Sequence, residues 1–410
     1  MNLYGAIILA ALVVEWGLNL IADRLNLRAL RDELPAGFED VYAPEDYKKS
    51  QHYTRDLTRF SHLSSSFDLG AVLVFWFAGG FDWLDQWLRG FGFGPLLTGL
   101  LFIGALALAK VLLDMPFAAY STFVIEERYG FNRTTPRTFV LDQLKDILLA
   151  AAFGGPLLAA VLWFFQRAGG NAWLYCWLLT TAFTISFLFV FPVWILPLFN
   201  RFEPLQEGEL RQALSAYAEK AGFALQGIFV IDGSRRTTRS NAFFTGLGRN
   251  KRIAFFDTLI ERHTVPELVA ILAHEVGHYA RGHILVGLFL SITQSWLLFL
   301  LLAFFLGHRG LFDAFYMQQP SIYAGLVFFG LLYAPIELVL SLLLNLMSRR
   351  HEFEADRYAA ETTGEPEAMA SALKKLSAHN LANLTPHPVY VALNDSHPPL
   401  PERVAALRSL

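Results

Sequence analysis

Cysteine is nearly missing from this chain of 410 residues: the single Cys176 excludes a disulfide within the chain and leaves the redox compartment undetermined. Charge is sparse too, at 17% of residues with a formal net of -3, and no basic tract of the kind that binds nucleic acid is present. There is no Gly-rich phosphate loop, internal repeat or low-complexity tract. These absences remove disulfide scaffolds, nucleic-acid binders, phosphate-loop enzymes and repeat solenoids. What fills the chain is apolar: 54% hydrophobic and 15% aromatic residues, with a mean hydropathy of +0.38. That is too apolar for an ordinary soluble enzyme of this length, so the chain reads as an α-helical polytopic membrane protein.

A helix needs about 20 mostly apolar residues to cross the hydrocarbon core. Seven stretches qualify, near residues 3–22, 67–88, 95–118, 147–166, 172–194, 284–306 and 321–346. The first is read as a retained span and not a signal peptide, because Glu15 interrupts its apolar run and no basic leader precedes it. Lys and Arg outside the spans number seven in 23–66, four in 119–146, eleven in 195–283 and seven after 346, against one in each intervening connection. By the positive-inside rule the rich segments are cytoplasmic, which puts the N-terminus outside and the C-terminus inside. The chain divides into residues 1–194 (spans 1–5 with their loops), 195–283 (a cytoplasmic segment), 284–346 (spans 6 and 7) and 347–410 (a cytoplasmic C-terminal segment). Glu15, Lys110, Asp114 and Glu337 fall inside spans, where charges face protein or water, so a wetted interior is expected. Trp76, Trp83 and Trp87 fit packing and interfacial anchoring in the outer half of span 2.

Against this background stands His274-Glu275-Val276-Gly277-His278. Residues four apart on a helix share a face, so the two imidazoles can grip one metal ion while Glu275 reaches an adjacent water. Zinc held by two histidines and a third ligand keeps a fourth position open, and the carboxylate can take the proton of the attacking water. Thr264-Val265-Pro266-Glu267 has the form of a capping box with proline in the first turn, so the motif is predicted to lie on a helix. A third histidine spaced as in metzincins would fall on Ile284, and the neighbouring His283 is read as a polar residue at the membrane surface. The run from Ser348 to Asp356 supplies the best candidate third ligand, Glu352, with Asp356 on the same helical face and Glu354 pointing elsewhere. Spans 6 and 7 form a hairpin with an outer turn, so His274, His278 and Glu352 can meet at the cytoplasmic boundary.

Segment 195–283 reads as a small mixed α/β domain. Residues 207–221 have amphipathic helical spacing, 227–231 is a β-like run, and 241–245 and 252–256 flank a turn-like Gly246-Leu247-Gly248-Arg249-Asn250, as in a hairpin. An extended substrate can add to such an edge as a further strand; the alternative is a packing sheet with no substrate contact. In the tail, Pro398-Pro399 interrupts helix before a terminal turn. There His397 and Arg403 are candidates for stabilising an oxyanion, with a structural ion pair the favoured alternative for Arg403.

Together, HEVGH, Arg349 to Asp356, Ser240 to Phe244, Arg252 to Leu259, His397 to Leu400, Ile125 to Asn132 and Pro197 to Asn200 resemble the type I CAAX prenyl endopeptidases, a family of integral-membrane zinc proteases. The match covers nearly the whole chain. The resemblance implies seven helices enclosing a large water-filled chamber, one inward-facing Zn2+ and prenylated CAAX peptides as the eukaryotic substrate class. It implies Glu352 as third ligand and Asp356 as a partner behind the ligands, with Asn241, His397 and Arg403 contacting substrate or transition state. Short outer loops and 25 Arg against 8 Lys point to a bacterial inner-membrane protein, whose targets would be misfolded or membrane-associated polypeptides, prenylated or not. The other readings are a heat-shock-type quality-control protease of the same superfamily and, in a different class, a nonproteolytic channel or transporter with structural zinc. A general base beside an open metal position argues against the last. Partners are thus a polypeptide substrate and membrane lipid; oligomeric state has no signature here.

Overall fold

The computed structural model describes residues 1–245 and 251–410. The expected turn from Gly246 to Asn250 lies outside the described residues. Seven helices among those described are long and apolar enough to cross a membrane: Leu3–Ala29, Pro44–Phe77, Pro95–Tyr129, Pro136–Arg167, Gly169–Phe199, His283–Leu306 and Ile322–Thr363, numbered here spans 1 to 7.

Span 2 differs from its expected bounds of 67–88. Hydropathy alone locates the apolar half, but the helix begins at Pro44, and its polar first half, rich in Asp, Arg and Ser, is helical as well. It ends at Phe77 because Gly79 adopts φ +73, a left-handed conformation in which a side chain would be strained. Gly80–Arg89 is then a separate short helix, with Trp83 and Trp87 exposed on it as an interfacial pair. Span 7 exceeds its expected end at 346. Its 42 residues run about 63 Å at 1.5 Å per residue, twice the hydrocarbon thickness of about 30 Å, so the last turns carry residues 347–363 beyond the bilayer core.

Two large cores, with a smaller third around Tyr53, Ile125, Tyr129, Phe131 and Leu381, hold the described residues. One, at the end of the bundle that includes the turn between spans 6 and 7, joins Ile8, Trp76, Phe81, Phe102, Leu162, Cys176, Leu302, Phe315 and Phe328. The other, at the opposite end, joins Leu214, Ile253, Phe255, Leu268, Ala273, Ala359, Met369 and Leu407. Between them the spans touch only through partly exposed side chains such as Phe67 on Phe117 and Phe153 on Phe187: residues 9–21, 59–75, 103–124, 136–160, 177–194, 284–298 and 334–351 include no buried residue. Polar side chains cross this unfilled middle. Lys110 of span 3 meets Asp68 of span 2 at 3.1 Å as well as Asp114 of its own helix. Trp16 donates to Ser66, and Gln294 of span 6 donates to Glu337 of span 7. Ionic groups of this kind are too costly to face hydrocarbon, so the seven helices enclose a polar chamber.

The α/β element is a four-stranded sheet in the order β1-β2-β4-β3, with β1 Phe202–Pro204, β2 Leu225–Ile231, β3 Ala242–Thr245 and β4 Lys251–Phe256. β2 and β4 are parallel, whereas β1 and β3 run antiparallel to their neighbours. The expected hairpin of 241–245 with 252–256 is β3 paired to β4, and β3 is an edge strand. Helix Glu209–Lys220 accounts for the amphipathic stretch.

Candidate metal centre and active site

The helix Val265–Ala280 carries HEVGH and starts as its sequence dictates. Thr264 and Glu267 form the reciprocal capping box, and the Thr264 N–H donates to Glu267 Oε2 at 2.8 Å. Ser371 donates to the other oxygen of that carboxylate and Lys375 reaches both, fixing the start of the motif helix to helix Pro366–His379. Gly277, inside the motif, lets this helix lie against span 7. A Cβ there would stand 3.1 Å from Ala355 Cα and 3.2 Å from its carbonyl oxygen, tighter than ordinary contact, so glycine eases the close approach that brings Glu352 to the two histidines.

Three side chains converge. His274 Nε2 and His278 Nε2 are 3.1 Å apart, Glu352 Oε1 is 3.3 Å from His278 Nε2, and Glu352 Oε2 is 3.6 Å from His274 Nε2. Ligands about 2.0–2.1 Å from a tetrahedral zinc would be separated by about 3.3 Å, so these spacings fit one ion of that size. Glu352 Oε2 is buried and makes no aligned hydrogen bond, although Arg403 Nη1 stands 3.1 Å from it, so it keeps a lone pair free for an ion at the centre of the cluster. Among the described residues this is the one cluster of His, Cys, Asp or Glu with such geometry.

Behind the ligands lies a buried ionic network. His274 Nδ1 is 2.9 Å from Asp356 Oδ1, and Arg403 forks onto Asp356 through Nε at 2.7 Å and Nη2 at 2.6 Å. The third nitrogen, Nη1, lies 3.1 Å from Glu352 Oε2. Glu275 is adjacent and partly accessible. Burial raises its carboxyl above the ordinary range, while His274, His278 and Arg403 pull it back and Glu352 pushes it further up.

His397 projects from the tail with its side chain 65% exposed and Nε2 3.5 Å from Glu352 Oε1, so it overhangs the metal cluster from the open side. It borders a cavity of about 650 Å³, which Arg403, Asn380, Asn394 and Asp395 also line. Asn241 is exposed at the start of edge strand β3, where its side-chain oxygen accepts from the Ala242 N–H and its carbonyl accepts from Phe256. It is not part of the metal cluster. His283, read from sequence as a surface polar residue, is instead buried and 3.1 Å from His278. Glu354, expected to point elsewhere, meets His283 at 3.0 Å. Sequence reasoning missed the roles of Gly277, His283 and Glu354, whose contacts join span 7 to residues far off in the chain.

Residues 23–201 match the family described as CAAX prenyl protease N-terminal, five membrane helices, and residues 204–410 match peptidase family M48. The CAAX prenyl protease 1 homolog of Mus musculus is 31% identical, covering 100% of this chain and 96% of its own length. CAAX prenyl protease 1 of Saccharomyces cerevisiae is 33% identical over 92% of this chain and 88% of its own. The crystal structure of S. mikatae Ste24p superposes with a TM-score of 0.93 at 32% identity and covers 99% of both chains. These relatives are eukaryotic, and the bacterial source suggested by arginine usage is not borne out. The match sets aside the channel or transporter reading, because its C-terminal half is that of a peptidase. Family matches over most of the chain, with the histidine and glutamate cluster inside the peptidase match, show that this chain belongs to peptidase family M48 as an integral-membrane metallopeptidase.

Proposed function

We propose that this chain is a zinc endopeptidase that cleaves CAAX-type polypeptides, prenylated or otherwise held at the membrane, inside the chamber. The observation that carries the reading is the convergence of His274 Nε2, His278 Nε2 and the Glu352 carboxylate, whose two oxygens lie 3.3 Å from His278 and 3.6 Å from His274, on the same motif that carries Glu275. Names of the relatives supply the substrate class. One Zn2+ per chain would supply a Lewis acid that polarises a peptide carbonyl and acidifies a water.

In this reading Glu275 takes the proton of the attacking water and passes it to the leaving amine, a task suited to a carboxyl raised by burial. Asp356 holds His274 so that Nε2 faces the metal. His397, on the open side, contacts the substrate carbonyl oxygen as charge develops on it. Asn241 and the free edge of β3 hold the substrate as an added strand, presenting its carbonyls in register. Arg403, fully engaged with Asp356 and Glu352, acts by holding those carboxylates; the buried fork favours this over direct contact with the oxyanion. Residues 1–194 then serve as chamber wall, 195–283 and 347–410 as the peptidase half, and 284–346 as the hairpin joining them, with the C-terminus cytoplasmic.

The test is cleavage of a farnesylated CAAX peptide by detergent-purified protein. Activity should disappear with a chelator and return on adding zinc. Cleavage indifferent to the chelator would reject the metal mechanism, and cleavage of other membrane peptides with no preference for CAAX would return the protein to general quality control.

A further inference from the structure

His274 has an evident support behind it in Asp356, and His278 needs an equivalent. Its Nε2 faces the metal position, so its Nδ1 points away, and 3.1 Å beyond it lies Nδ1 of His283. The other nitrogen of His283, Nε2, is 3.0 Å from Glu354 Oε2. The ring between these contacts is fixed: His283 is 7% exposed, and His351 stacks on it with centroids 3.9 Å apart and planes within 7°. The turn at Gly282, with φ +74, ends the motif helix and starts span 6 so that His283 comes back against His278.

Hydrogen-bond accounting assigns one arrangement. A metal at His278 Nε2 takes that lone pair, so the imidazole proton sits on Nδ1 and needs an acceptor. His283 Nδ1 accepts it, which places the His283 proton on Nε2, and Glu354 accepts that one. Every nitrogen is satisfied with both rings neutral. From this we infer that His283 and Glu354 are positioning residues for the metal site: together they hold His278 in the tautomer and orientation that bind the ion, as Asp356 and Arg403 do for His274. The two ligating histidines are therefore braced from opposite sides, His274 by span 7 and the tail, His278 by the start of span 6 and by Glu354 of span 7. Glu354 is a half-exposed member, at 56% of its side chain, so it can be changed without opening the core.

This inference rests on the zinc reading of the site, and its test separates the two. Zinc affinity would be measured by competition with a chromogenic chelator on the purified full-length protein and on His278→Ala, His283→Phe, His283→Asn and Glu354→Leu. Phe keeps the flat ring against His351 and loses the acceptor, whereas the Asn side-chain oxygen falls near the position of Nδ1 and can accept from His278. Losing an outer partner of a metal-bound histidine typically weakens affinity by about 10–100-fold. His283→Phe should show a loss in that range, Glu354→Leu a smaller one, and His283→Asn should recover most of the affinity, a rescue that a purely packing role would not produce. Wild-type affinity in folded His283→Phe, or in Glu354→Leu should the first variant fail to fold, would overturn the inference. If wild type and His278→Ala alike take up no zinc, the metal reading itself fails.

Discussion

Arg403→Met puts an apolar side chain of similar length where a buried guanidinium grips two carboxylates. It removes the bonds to Asp356 at 2.7 and 2.6 Å and the contact to Glu352 at 3.1 Å. Breaking a buried pair by deleting one partner costs about 3–5 kcal/mol, because the remaining charge stays buried without compensation. With zinc bound, the metal partly neutralises Glu352, so the loss falls mainly on Asp356 and should lie near the low end; without zinc both carboxylates are stranded and the loss should be larger. Thermal unfolding of detergent-purified protein, with and without zinc, reads this difference. Asp356, released from its fork, also stops fixing His274, so chelator competition should show zinc held about 10–100-fold more weakly. Arg403→Lys should fall between, since an ammonium keeps the charge and loses the fork. A guanidinium that touched the oxyanion would give a different pattern, a kcat lower by about 100–1000-fold with zinc affinity and stability unchanged. That result would refute the ion-pair assignment.

Other outcomes follow from the same geometry. Gly277→Ala should push the motif helix off span 7, since the new Cβ meets Ala355 at 3.1 Å; overpacking costs about 1–3 kcal/mol, and zinc binding should weaken with it, both measured as above. Asp395, beside His397 on the cavity wall, has its carboxyl pushed up to about 6 by burial against a weaker downward pull from Arg349. A raised carboxyl stabilises below its unfolded value of about 3.9 and that contribution is lost as pH rises through the folded value. Asp395→Asn should therefore flatten the decline in thermal stability between about pH 4 and pH 6, and an unchanged pH profile would contradict this. Reporter fusions at Gly310 and at the C-terminus should give opposite sidedness, as the distribution of Lys and Arg requires; the same sidedness at both would undo the assigned orientation.

The parts legible in the sequence were those fixed by local periodicity. HEVGH on a capped helix, the β3–β4 pair and most of the spans follow from spacing and composition in short windows. Glu352 was legible because the hairpin of spans 6 and 7 returns the chain to the same face. Hydropathy cannot see a helix whose polar half continues past its apolar one, which is why Pro44 to Ser66 was not assigned to span 2. β1, at three residues, is too short to show a period and exists through its pairing with β2. His283 and Gly277 were opaque for another reason. Gly277 matters through Ala355, and the far side of His283 is fixed by Glu354, each more than seventy positions away. Nothing nearby in the chain marks either contact.

The central claim is that Glu275 activates water beside a metal it does not ligate. Glu275→Gln tests it most directly, with zinc content and peptide cleavage measured on the same preparation and Glu352→Ala alongside. The account predicts that Glu275→Gln keeps about one zinc per chain, as a site of two histidines and a carboxylate implies, while cleavage falls to background. Glu352→Ala should lose both. Loss of zinc from Glu275→Gln, or cleavage surviving in it at the wild-type rate, would contradict the account.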